Sequence, residues 1–116
     1  MKNIEIQIPI LNNEYEVSVL WGDRSFLKDH IGKRFKKGDL KKNVGITYTK
    51  KNKPPVIALR GYPETPEEVS VLAHESAHAV RHIFRTIKEK KGEEIFAHSV
   101  GAVVRGVLEL GVEKEL

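Results

Sequence analysis

Two histidines flank a glutamate at a fixed spacing in the segment VLAHESAHAVRH, residues 71–82. Residues four apart lie on one face of an α-helix, about one turn apart, so His74 and His78 can direct ring nitrogens at one point. Glu75 is rotated by about 100° from His74, which makes it a poor further ligand but lets it reach a water molecule beside the pair. The spacing therefore predicts a zinc site with His74 and His78 as ligands and Glu75 as general base. The alternative is an ordinary pair of helix-surface histidines.

A catalytic zinc usually has three protein ligands, which predicts a further one elsewhere in the chain. Because the sequence contains no cysteine, that ligand must be His, Asp or Glu. Glu93 and Glu94 stand at the start of the next predicted helix. Ala97 and Gly101, three and seven positions beyond Glu94, are small enough to mark the face that approaches the zinc helix. This pattern favours Glu94 as the third ligand, with Glu93 pointing outward.

Two further histidines lie near the predicted ligands. His98 follows Glu94 by four residues, and three roles are open to it: hydrogen-bond partner of Glu94, stabiliser of a tetrahedral oxyanion, or ligand in place of Glu94. His82 continues the face of His74 and His78 by one more turn. Three successive turns of a straight helix cannot converge on one ion, so we expect His82 to be a rim or partly buried residue.

The helix that carries the histidines has a clear predicted start and end. Thr65 as N-cap, Pro66 at the first helical position and Glu68 three residues after the cap form a capping box. Apolar residues then recur at spacings of three and four, so one side of the helix faces a core. Lysines at positions 88, 90 and 91 suit the negative end of the helix dipole, and Gly92 is typical of a helix end.

The rest of the chain predicts a small sheet and a C-terminal helix. Residues 4–10 and 15–21 alternate apolar and polar side chains, which indicates a hairpin, and Pro9 predicts that the first strand lies at an edge or ends early. A second strand pair is predicted at 44–49 and 56–60, and a final helix runs from about 93 to 110. We therefore expect one α+β domain over residues 1–116, with an antiparallel or mixed sheet packed against the two helices; a further short helix is predicted around 25–34.

Charge and composition limit the classes of partner. The net charge is +4, and residues 33–53 carry nine basic side chains and one acid, Asp39. Such a stretch can bind a phosphate backbone, with Phe35 and Tyr48 stacking on bases, but a solvated loop with a lysine-rich hairpin tip is favoured. The N-terminus has no apolar h-region, and we expect no segment to approach the roughly 18 apolar residues of a membrane span. These features predict a cytoplasmic protein with no membrane partner.

HESAH followed by EEIFAH resembles the gluzincin family of zinc metallopeptidases, in the reduced form of the minigluzincins and of small phage or bacterial metallopeptidases. The resemblance covers residues 44–110 and implies a zincin-like fold with Zn²⁺ as cofactor. It implies that His74, His78 and Glu94 are the ligands. Glu75 would then be general base and proton shuttle in peptide-bond hydrolysis.

The same resemblance implies that a peptide or protein substrate lies extended along an edge strand beside the zinc helix, for which residues 56–60 are the candidate. One position departs from the family. Thermolysin-like gluzincins have an aspartate four residues after the ligand glutamate, where this chain has His98. A non-catalytic domain whose zinc fastens two helices, with His98 closing the fourth position, is therefore the main alternative to an enzyme.

Overall fold

The computed structural model describes residues 2–87 and 92–116. Its helices and strands confirm the predicted α+β class and the predicted mixed or antiparallel sheet of four strands. The elements are β1 (Ile4–Ile10), β2 (Tyr15–Trp21), α1 (Arg24–Ile31), a 3-10 turn (Gly32–Arg34), β3 (Gly45–Tyr48), β4 (Val56–Leu59), α2 (Pro66–Ile87) and α3 (Glu93–Glu115).

The sheet has the strand order β1-β2-β4-β3. The hairpins β1–β2 and β3–β4 are antiparallel, and β2 joins β4 in parallel. Both predicted strand pairs are thus confirmed, and β1 lies at one edge, which is one of the two outcomes that Pro9 predicts. The other edge is β3, while β4 is paired on both sides.

Helices cover both faces of the sheet. The alternation of β1 buries all four of its isoleucines, which pack with α2 and α3 through residues such as Leu72, Val80 and Val103. The opposite face packs on α1 and the loop that follows it, through Leu20, Ala58, Leu27, Ile31, Phe35, Leu40 and Tyr48. The sheet therefore lies between two cores, and the larger core holds the helix that carries His74 and His78.

The predicted capping box of α2 is confirmed. Thr65 Oγ1 accepts a hydrogen bond from the Glu68 N–H at 3.1 Å, and Glu68 Oε1 accepts one from the Thr65 N–H at 3.0 Å. Hydrogen bonds from the backbone N–H groups of Glu64 and Thr65 lower the pKa of Glu68. The predicted lysine-rich last turn, residues 88–91, lies outside the described residues. Gly92 does not form a left-handed helix end; it stands in extended backbone (φ −68°, ψ 166°) directly before α3.

Helix α3 continues five residues beyond the predicted end at position 110. Its last turn is fixed by Trp21, whose Nε1 donates to a Glu115 carboxylate oxygen, and by Lys2, which donates to the Glu115 carbonyl oxygen. Gly111 permits this packing, since a Cβ there would lie 2.8 Å from the Trp21 ring and 3.0 Å from the Tyr62 ring. Tyr62, on the loop before α2, donates to the Leu108 carbonyl oxygen at 2.9 Å, so it is a packing residue.

By length and composition α3 is also apolar enough to cross a membrane, with a mean hydropathy of 1.5 in its most apolar window. The expectation that no segment approaches a membrane span was therefore too strong. Core helices that are mostly buried meet the same criterion, whereas 22% of this window is buried in α3, through residues such as Val103 and Val107.

Candidate metal centre

The structure brings the two histidines of α2 together. His74 and His78 are both exposed, their Nε2 atoms are 3.1 Å apart, and their ring planes meet at 83°. Two nitrogens that bind one tetrahedral zinc at the usual bond length are about 3.3 Å apart. The pair therefore has the separation that a shared metal requires, which a hydrogen bond between neutral imidazoles also satisfies.

Glu75 lies half-buried beside the pair and is held by β3. The Thr47 hydroxyl is 2.7 Å from Oε1 of Glu75 and 3.0 Å from its carbonyl oxygen, and it donates its hydrogen bond to this residue. Among the described residues nothing hydrogen-bonds to the second carboxylate oxygen, Oε2. Sequence reasoning missed Thr47, because a threonine in a short strand forms no pattern with a helix distant in the chain.

The three residues open onto a groove between β3 and α2, called here the histidine groove, with a volume of about 730 Å³. Gly45 brings the two walls close, since a Cβ there would lie 3.0 Å from Leu59, 3.3 Å from Val71 and 3.5 Å from Glu75. The main chain of β3 can thus lie directly against the turn of α2 that carries Glu75. The lining residues that matter for chemistry are Lys42, Thr47, His74, Glu75, His78, Arg81, His82 and Arg85.

Polar contacts on the far side of β3 hold this wall in place. Tyr48 OH donates to Asp39 Oδ2 at 2.6 Å. Burial and this hydrogen bond raise the pKa of Tyr48 well above its usual value, and the same bond lowers the pKa of Asp39. Arg60 donates to the carbonyl oxygens of Leu40 and Asn43, which fixes the loop leading into β3. The groove therefore has one wall made by a strand and its anchored loop.

Glu94 and His98 lie elsewhere. Both are exposed on α3 and line a second groove of about 690 Å³, called here the Glu94 groove, with Leu11, Asn12, Glu14, Tyr15, Ile87, Ile95 and Ser99. None of these residues lines the histidine groove. Glu93 is exposed as well.

The prediction that Ala97 and Gly101 mark the packed face of α3, with Glu94 pointing inward, is wrong about that face. Ala97 is exposed, and no atom lies within 4 Å of a Cβ placed on Gly101. The buried positions of α3 are Ser99, Val103, Val107 and Gly111 instead. The glycine of close approach to β1 is Gly106, where a Cβ would lie 3.0 Å from Ile8.

No third ligand completes the pair within the part of the chain that the structure describes. Over residues 2–87 and 92–116, no three His, Asp or Glu side chains are grouped so that they hold a metal together. The chain thus presents two convergent nitrogens and a neighbouring carboxylate, and neither Glu94 nor His98 joins them in this arrangement.

The strand predicted to bind substrate also differs. Residues 56–60 contain β4, which pairs with β2 on one side and with β3 on the other, so its main chain has no open edge. That prediction is wrong in its choice of strand. The open edge beside α2 belongs to β3, Gly45–Tyr48, which forms the wall of the histidine groove.

The remaining histidines are in structural or rim positions. His82 Nε2 is 3.2 Å from the Lys53 carbonyl oxygen and lines the end of the histidine groove, as expected for a rim residue. His30 stacks on Phe26 with ring centroids 4.4 Å apart, and its Nε2 is 3.5 Å from a Glu5 carboxylate oxygen.

The basic segment 33–53 does not form a stacking surface for bases. Phe35 and Tyr48 are both buried in the smaller core, at 7% exposure each, so neither ring is available to a nucleotide. Arg24 donates to the carbonyl oxygens of Lys36 and Asp39, which folds the first half of the segment into an ordered loop.

Comparison of the chain with known proteins gives no match, whether to a protein-family model, a curated protein or a solved structure. The resemblance to gluzincins therefore rests on the residues of the chain alone.

Proposed function

We propose that this chain is a zinc-dependent peptidase of zincin-like arrangement, in which His74 and His78 bind the metal and Glu75 is the general base. The observation that carries the proposal is the 3.1 Å separation of the two Nε2 atoms at the floor of an open groove. Imidazole nitrogen is a ligand that zinc prefers, and the chain offers two at the spacing a single ion needs. Glu94 does not belong to this ligand set, because it lines a separate groove.

A zinc ion held by this pair would supply Lewis-acid activation of a water molecule and of a substrate carbonyl. The residues of the chain do the rest. Glu75 takes the proton of the attacking water and passes it to the leaving amine. Thr47 donates to Oε1 of Glu75, which holds this carboxylate beside the histidine pair.

The groove also suits an extended peptide. The edge of β3 offers unpaired backbone groups beside α2, and pairing of a substrate main chain with them orients it without demanding particular side chains. The substrate carbonyl then passes over the His74 and His78 rings, since these rings and β3 line the same groove.

The rival function, a non-catalytic zinc site that fastens α2 to α3, has less support. It requires a ligand from α3 at the histidine pair, and both candidates, Glu94 and His98, line the Glu94 groove instead. An exposed pair in an open groove is more typical of a catalytic centre, which keeps a position free for water.

Hydrolysis of a quenched-fluorescent peptide library tests the proposal. The protein is stripped with a chelator, reloaded with one equivalent of zinc, and compared with Glu75→Gln at equal zinc content. We expect activity only after reloading, and a loss of about 10²- to 10⁴-fold in Glu75→Gln.

Glu94→Gln is the matched control, since it makes the same chemical change in the other groove; it should keep parent activity. Hydrolysis by Glu75→Gln at the parent rate would contradict the proposal, and so would a parent protein that holds zinc but cleaves nothing.

A further inference from the structure

Positive charge lies at both ends of the histidine groove. Lys42 stands at one end and Arg85 at the other, with Arg81 between Arg85 and the histidine pair; all three are exposed. Glu75 is the one carboxylate among the groove-lining residues in the described part of the chain. The groove is therefore cationic at its ends and holds its single negative charge beside the two histidines.

The position of each end follows from contacts along the groove. Gly45, at the start of β3, lies against Val71, and Lys53, beyond the end of β3, contacts His82. Strand and helix thus run in the same direction. Lys42 precedes β3 and so lies at the Val71 end, whereas Arg85 lies beyond His82 at the far end.

The two arginines have a spacing that an extended chain can match. Arg81 and Arg85 follow His78 by three and seven residues, which is about 4.5 and 10.5 Å along the helix axis. An extended chain rises about 3.3 Å per residue, so these side chains meet positions roughly one and three residues from the one that lies over His78. Positions one and three lie on the same side of a strand, because side chains alternate between faces.

We propose that the preferred substrate of this site is an acidic extended peptide, with carboxylates at alternate positions beyond His78 that bind Arg81 and Arg85. The inference rests on the proposed peptidase function and adds the substrate class. A nucleic acid is the less suitable occupant. The buried rings of Phe35 and Tyr48 offer no stacking, and Glu75 would repel a phosphate backbone in the middle of the groove.

Arg85 is the better residue to change. Arg81 also lies over the Phe96 ring, 5.6 Å from its centroid, so its removal would disturb the contact between α2 and α3. Arg105 provides a matched control: it is an arginine on the exposed side of α3, 79% exposed, and it does not line the groove.

The test is binding of labelled octapeptides by fluorescence anisotropy, with a chelator present so that neither metal nor hydrolysis contributes. One peptide has glutamates at alternate positions on both sides of a central Ala-Ala pair, and the other has glutamines there. We expect the glutamate peptide to bind about tenfold more tightly. Arg85→Gln and Lys42→Gln should each weaken it by about two- to fivefold, since exposed ion pairs contribute little singly, and Arg105→Gln should change nothing.

Equal binding of the two peptides, or equal losses in Arg85→Gln and Arg105→Gln, would overturn the inference. Tighter binding of a labelled twenty-nucleotide single strand than of the glutamate peptide would overturn it in favour of nucleic acid. If the glutamate peptide binds in an Arg85-dependent way but is not cleaved after zinc loading, the groove binds acidic peptides and the proposed peptidase function fails. Cleavage of both peptides at the same rate after zinc loading would support the peptidase function and contradict the preference for an acidic substrate.

Discussion

The histidine groove and the Glu94 groove each contain a pair of chemically active residues four apart on one helix, yet only the first pair is assembled as a site. His74 and His78 converge to 3.1 Å and have Glu75 and Thr47 beside them. Glu94 and His98 share a groove with Glu14, but these three side chains do not form a metal-binding group. The difference lies in what surrounds each pair: an edge strand at close range in one case, and the β1–β2 turn and helix ends in the other.

The two pairs differ in how far the sequence alone predicts their surroundings. The convergence of His74 and His78 depends only on helix geometry, so a spacing in the sequence is enough to predict it. The groove that Glu94 faces depends on the rotation of α3 about its axis, which packing with β1 decides. Small residues are a weak guide to that rotation, because α3 has them on both sides: Gly101 is exposed, whereas Gly106 and Gly111 are in close contact with the sheet side.

The largest expected effect is on zinc affinity, measured by competition with a chromogenic chelator. His74→Ala and His78→Ala should each weaken binding by about 100-fold or more, since removing one of two protein ligands leaves a single imidazole. Glu94→Gln and His98→Ala should stay within about twofold of the parent. A large loss of zinc affinity in Glu94→Gln would contradict the assignment of Glu94 to a groove separate from the metal-binding pair.

The orientation of α3 is tested by stability at two glycines, measured by urea denaturation. Gly111→Ala should destabilise the fold by about 1–2 kcal/mol, because the new methyl group meets the rigid rings of Trp21 and Tyr62 and overpacking outweighs the gain in helix propensity. Gly101→Ala should stabilise by about 0.5–1 kcal/mol, since its position is open and alanine favours a helix. The opposite signs would mean that Gly101 lies on the packed face, as the sequence had suggested, and that Glu94 points inward.

In the histidine groove, Thr47 is expected to position the carboxylate of Glu75. Thr47→Val keeps the shape of the side chain but removes the hydrogen bond to Glu75. We expect kcat for peptide hydrolysis to fall by about tenfold, less than the roughly 10²- to 10⁴-fold that a general base contributes, because Glu75 itself remains. KM should not change, and Thr47→Ser should recover most of the loss. An unchanged kcat in Thr47→Val, or an equal loss in Thr47→Ser, would show that Thr47 does not position Glu75.

Much of the fold could be predicted from local patterns. The alternation in β1 and β2 and the capping box at Thr65 and Glu68 depend on neighbours in sequence, and both are confirmed. Of the two outcomes that Pro9 predicts, the structure has the edge position of β1. The order of the last two strands depends on the parallel pairing of β4 with β2, a contact between distant segments. One signal was available: VIAL in β4 is a continuous apolar run, typical of an internal strand, whereas GITY in β3 is mixed.

The site, like the fold, could be predicted only where it depends on residues that are close in sequence. His74, Glu75 and His78 follow from one turn of helix, and Arg85 lies on the same helix two turns beyond His78, while Thr47 and Lys42 join them only through tertiary structure. No spacing connects β3 with α2, so the strand wall of the groove and the contribution of Lys42 to its charge could not be predicted from the sequence.

The zinc K-edge X-ray absorption spectrum of the protein loaded with one equivalent of zinc tests the central claim most directly, because it counts imidazole ligands on the bound metal. We expect two imidazole nitrogens in the parent protein and one in His74→Ala, with the parent spectrum unchanged in His98→Ala. A protein that retains no zinc, or an imidazole count that is the same in the parent and in His74→Ala, would contradict the assignment of His74 and His78 as the metal-binding pair.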